Sequence, residues 1–197
     1  MTAIAATIAT DIAEFCCELN QKPNGPSNFD LARLDDMLEK VRIADEAAFL
    51  SFRGVYYSYL GEKEKSLRYH NLSIDARPDL REVYNNFAAS LERFGEFGMA
   101  VETALRMMKV AGPAEEDIHH LLTNAYYARR DDVIAEWLPV YRKMAQKEHF
   151  IERLIKNDCP GQGKDIATSE LTALSVDSGA FSGIFCEGED EAWQHLR

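Results

Sequence analysis

AAFLSFRGVYYSYLGEKEKSLRYHNLSIDARPDL (47–80) runs directly into REVYNNFAASLERFGEFGMAVETALRMMKVAGPA (81–114), and the two 34-residue stretches align place for place. In the first, Gly54 is eighth, Tyr57 eleventh, Gly61 fifteenth and Pro78 thirty-second. In the second, Tyr84 is fourth, Phe87 seventh, Ala88 eighth, Leu91 eleventh, Gly95 fifteenth, Ala100 twentieth and Ala104 twenty-fourth; Pro113 falls one place late. Apolar residues recur at helical spacing on both sides of each central glycine. Glycine can end a helix because the left-handed conformation meets no side-chain penalty there, and proline cannot continue one. Each stretch therefore reads as helix, turn, helix. A third unit is expected over 116–146, with Leu122 in the seventh place and Asn124, Ala125, Tyr126 and Tyr127 after it. Its second helix, from about Asp131 to Met144, slips back by one residue and carries Val133, Ile134, Trp137, Leu138 and Tyr141, with Pro139 in its interior and Arg130 where the turn glycine belongs.

These positions resemble the tetratricopeptide repeat family over residues 47–144. The resemblance implies an all-α fold: a right-handed superhelix of antiparallel helix pairs, a solenoid with one continuous apolar interior. One pair cannot bury its own apolar face, so about three must stack. It also implies a binding face. The second, fifth, ninth and twelfth places of each first helix point into the concave surface. Here they are Ser51, Val55 and Ser58; then Glu82, Asn85, Ala89 and Glu92, with Asn86 adjacent; then Asp117, His120, Asn124 and Tyr127. Asn and Tyr at such places suit an extended peptide, whose backbone offers donors and acceptors. Relatives that hold a chaperone's C-terminal carboxylate need basic residues on this face. Ser51, Val55, Asp117 and Leu121 supply none, so that subtype is disfavoured.

The flanks fit one helical domain over 1–158. Residues 3–19 and 28–45 read as a divergent helix pair capping the stack over 3–45, joined by the loop Lys22-Pro23-Asn24-Gly25-Pro26, with Ser27 or Asn28 as N-cap. Residues 147–157 read as a short capping helix at the other end. The C-terminal segment 159–197 changes character: Leu171, Leu174, Val176, Phe181, Ile184 and Phe185 lie around two glycines. A β-hairpin and an extended segment lying on the helices fit it equally. Its Gly161-Gln162-Gly163-Lys164 lacks the spacing of a phosphate loop.

Composition excludes several functions. A net charge of −11 repels phosphate backbones, so nucleic acid is not expected, while a basic protein partner is. Asp11 and Glu14 interrupt the apolar start before a signal peptide or membrane span forms. Cys16, Cys17, Cys159 and Cys186 match neither a zinc ribbon nor a redox pair, which points to thiols in a reducing, cytoplasmic setting. His119-His120, Asp35-Asp36 and Asp131-Asp132 have no triad or metal-ligand context, so neither catalysis nor a cofactor or metal is expected. The leading expectation is an interaction scaffold, not an enzyme. A dedicated regulator of one basic partner, chaperone-like or immunity-type, is the second. An enzyme whose site the C-terminal segment forms is the third. A homodimer would cover an apolar end left by an incomplete stack.

Overall fold

The computed structural model describes residues 3–145, which form eight helices and no strand. The expected capping helix 147–157 and the 159–197 segment, with its hairpin, lie outside the described residues. The helices are α1 (Ala3–Asn20), α2 (Asn28–Ala44), α3 (Glu46–Tyr59), α4 (Lys63–Ala76), α5 (Arg81–Arg93), α6 (Phe97–Ala111), α7 (Glu115–Tyr127) and α8 (Asp131–Met144). Each packs on the next, and α3 packs on α5 as well. No described helix is long and apolar enough to cross a membrane.

Local chemistry fixes the boundaries. Ser27 starts α2 through a capping box: its Oγ accepts from the Asp30 N–H (3.3 Å), and the Asp30 carboxylate accepts from the Ser27 N–H (2.8 Å). Lys22 pairs with that carboxylate at 2.7 Å, and together with Ser27 it holds Asp30 well below the usual carboxylate range. Asp45 caps α3 by accepting from the Ala48 N–H at 2.9 Å. Asp117 is buried and serves α7 twice. It accepts from the Ala114 N–H (2.9 Å) and pairs with Arg81, whose Nη2 also donates to the Ala111 and Gly112 carbonyls (3.0 Å each).

The three helix pairs share one period. Helices α3, α5 and α7 end at Tyr59, Arg93 and Tyr127, and α4, α6 and α8 begin at Lys63, Phe97 and Asp131. Each turn passes through a left-handed residue: Gly61 (φ 73°), Gly95 (φ 72°) and Arg129 (φ 57°). This corrects the sequence reading on a detail. Arg129, not Arg130, takes the glycine's place, and the 34-residue step holds through α8 without a slip. A side chain in that conformation is disfavoured by roughly 1–2 kcal/mol. Arg129→Gly is therefore expected to raise stability by about 1 kcal/mol in chemical denaturation. An unchanged or lower midpoint would show that the Arg129 guanidinium over the Tyr126 ring, at 5.9 Å, compensates in full.

The apolar interior is not continuous, contrary to the expectation from the repeat. Ile12, Phe15, Leu19, Leu34, Leu38, Val41, Phe52 and Val55 form one cluster among α1, α2 and α3. Ile74, Tyr84, Phe87, Leu91, Val101, Met107, Ile118, Leu121, Leu122 and Tyr141 form another across α4 to α8. Between them α3 and α4 meet through small and polar residues. Ser66 Oγ donates to the Gly54 carbonyl and Ser73 Oγ to the Ala47 carbonyl, both at 2.8 Å. Small side chains let the two backbones approach, and the serine hydroxyls are satisfied there because bulkier apolar residues would not fit.

Candidate functional site

The seam where the first helices α3, α5 and α7 meet is polar. From α5 to α3, Asn86 Nδ2 donates to Ser51 Oγ (2.8 Å) and Arg93 Nη1 donates to Ser58 Oγ (2.7 Å). Arg93 Nη2 reaches past α3 to Asn20 Oδ1 at the end of α1 (2.7 Å), and the guanidinium lies 4.3 Å above the Tyr59 ring. Tyr59 Oη donates to the same Asn20 oxygen at 2.8 Å. From α7 to α5, Asn124 Nδ2 donates to Glu92 Oε1 (2.5 Å) and to the His120 carbonyl (3.0 Å).

His70, on α4, fills the hollow above Gly54 and stacks on Phe87 at 4.9 Å. Ser90 Oγ donates to the Asn86 carbonyl (3.0 Å), so at 2.8 Å it accepts from His70 Nε2. That assigns the neutral Nε2–H tautomer. Nδ1 is buried without a partner, and burial, with Arg93 nearby, pulls the ring down to about 3. Glu92 is displaced the other way. Burial lifts its carboxyl to about 7 against the opposing pull of Asn124 and Arg93. Cys16 is buried under the end of α3, and burial raises its thiol to about 12; Cys17 is half-buried.

Of the twelve residues expected on the concave face, Ser51, Val55, Ser58, Asn86, Ala89, Glu92, Asp117 and Asn124 are buried. They hold the first helices together instead of presenting a surface. The cause is steric: serine and alanine at these places allow adjacent helices to close over them. Glu82 is exposed, and Asn85, His120 and Tyr127 are half-buried. Tyr127 packs on Phe97 at 5.1 Å, and the His120 ring meets His119 edge-on at 5.6 Å. Reading the sequence missed Arg93, Asn20 and Tyr59, which stand outside the family's concave places. His70 was missed as well. The available signal was the pairing of a glycine in the eighth place with a bulky ring in the twenty-fourth. Among the described residues no three His, Cys, Asp or Glu side chains converge as a metal site. No family model, curated protein or solved structure matches the chain.

Proposed function

We propose that the chain is a tetratricopeptide-like interaction module, a superhelix of helix pairs whose first helices form a concave groove for a basic protein or peptide. The observation that supports this most is the register: three helix pairs turn at Gly61, Gly95 and Arg129 on one 34-residue step. Such repetition generates a ridge of parallel first helices, and extended binding surfaces come from stacked pairs of this kind. Glu82 is exposed and Asn85, His120 and Tyr127 are half-buried, so these are the groove residues with surface left for a ligand. The net charge of −11 favours a basic partner and also supports a narrower variant, a regulator that masks one basic protein. Co-purification of a single protein at one-to-one stoichiometry would distinguish that variant from a general scaffold.

The test is a titration of the isotope-labelled chain with a library of basic peptides, followed by amide shifts. Shifts are expected at Asn85, His120 and Tyr127. The double substitution Asn85→Ala, Tyr127→Ala is expected to weaken the best peptide at least about tenfold, corresponding to about 1.4 kcal/mol. Tyr127 also packs on Phe97, so the melting temperature should fall as well, and the affinities are compared at a temperature where both proteins are folded. Shifts confined to the exposed second-helix residues Leu72 and Met99 would refute the groove.

A further inference from the structure

We infer that the outer face of α2 is a surface on which two copies of this chain pair, antiparallel across a two-fold axis, with Phe29 of each seated beside Ile43 of the other. The inference is independent of the groove reading and concerns a different helix.

Two large apolar side chains of α2 stand in solvent: Phe29 is 80% exposed and Ile43 is 87% exposed. They lie about four turns apart, roughly 21 Å, so they share one stripe at opposite ends of the helix. Beside Ile43 is an open pocket of about 490 Å³, which Phe49 and Leu50 of α3, both half-buried, also line. One end of the stripe thus carries an aromatic knob and the other a hollow with apolar walls. Within one copy the two cannot meet, because the length of the helix separates them. In a two-fold pair each knob reaches the other copy's hollow, and both contacts form together.

The charges between the two ends obey the same symmetry. Arg33, Asp36, Glu39 and Lys40 are all exposed and sum to zero, on a chain whose net charge is −11. This face therefore repels its own copy less than the rest of the surface does. The register that sets Phe29 against Ile43 of the second copy also sets Arg33 against Glu39. It places Asp36 against itself on the axis, with Lys40 of each copy one turn away to offset the repulsion. Arg33 lies over the Phe15 ring at 4.3 Å and forms no ion pair among the described residues, so its guanidinium is ordered but unmatched. Glu39 pairs with Arg42 at 2.8 Å in solvent, which leaves its carboxylate open to a second cation. A pairing of one helix per copy falls at the small end of protein interfaces, below about 1,200 Å², so a reversible dimer with micromolar affinity is expected.

The experiment is sedimentation of the full chain from about 1 μM to about 500 μM. The mass should rise reversibly from one chain toward two. Phe29→Lys and Ile43→Glu should each weaken pairing at least tenfold, with helical circular dichroism unchanged because both side chains stand in solvent. Mixing the two variants should restore pairing, since one apolar contact survives and the two introduced charges meet as opposites. Leu72→Glu, on α4, adds a charge at another exposed apolar site and should pair like the unaltered chain. A chain that stays single throughout overturns the inference and leaves the pocket to another occupant. A dimer that survives both variants overturns it, as does a mixture no tighter than either variant alone. Loss of pairing in Leu72→Glu would move the contact off α2 and overturn it too.

Discussion

Gly54→Ala is expected to destabilise the protein by about 2–3 kcal/mol, although alanine in place of a helical glycine ordinarily stabilises by roughly 0.5–1 kcal/mol. An added Cβ would lie 2.6 Å from His70 Cδ2 and Nε2 and 2.7 Å from Cε1. The ring has nowhere to go. It is fully buried, stacks on Phe87, and gives its one N–H to Ser90. Rotating it would break that bond and disturb Ser90, which is itself bonded to the Asn86 carbonyl. The effect should reverse sign when the ring is removed. In a His70→Ala background, which has its own cavity cost, Gly54→Ala should gain about 0.5–1 kcal/mol by restoring ordinary helix propensity. Urea unfolding of the four proteins measures the coupling, expected above about 2 kcal/mol. Additivity within about 0.5 kcal/mol would mean that the two positions do not share space.

Glu92→Gln should stabilise the protein by about 3 kcal/mol at pH 8 and change little below pH 4.5. Burial lifts the Glu92 carboxyl from 4.5 to about 7, so the folded state binds its proton more tightly than the unfolded chain does. The sign follows from that. Its favourable contribution is fully present below the unfolded value and is lost as pH rises through about 7. Glutamine keeps an acceptor for Asn124 Nδ2 but never ionises. Lifting the carboxyl from 4.5 to about 7 corresponds to roughly 3 kcal/mol. His70 acts oppositely. Its ring is held near 3, so its contribution is present above about 6.5 and is lost as pH falls. That term is common to both proteins and cancels in the difference. Denaturation midpoints from pH 4 to pH 8 therefore isolate Glu92. A difference that stays flat across this range would mean that Glu92 titrates as an ordinary surface acid.

The two predictions together describe a seam whose polar residues have unequal roles. His70, Ser90, Asn86 and Ser51 close a chain of contacts from α4 through α5 to α3. That chain is structural. Glu92 and Asn124 join α7 to α5, and Asn85, His120 and Tyr127 stay partly exposed.

The sequence by itself determined the helices and their turns. Gly61 and Gly95 fix left-handed turns, Ser27 caps the start of α2, and apolar residues at helical spacing mark the buried stripes, whereas Asp45, read as the last residue of the helix 28–45, caps α3 instead. These are local signals: a φ angle, a capping oxygen, a 3.6-residue period. Arg129 was misplaced by one because an arginine gives no local cue for a left-handed turn. Only the tertiary structure decided which polar side chains face a ligand and which face a neighbouring helix. Ser51 and Asn86 are 35 positions apart, Glu92 and Asn124 are 32 apart, and His70 occupies the space a methyl on Gly54 would need. Whether a small polar residue lies in a groove or within a seam depends on how closely the next helix approaches. That distance is set by the side chains of both helices together, so neither stretch of sequence states it alone.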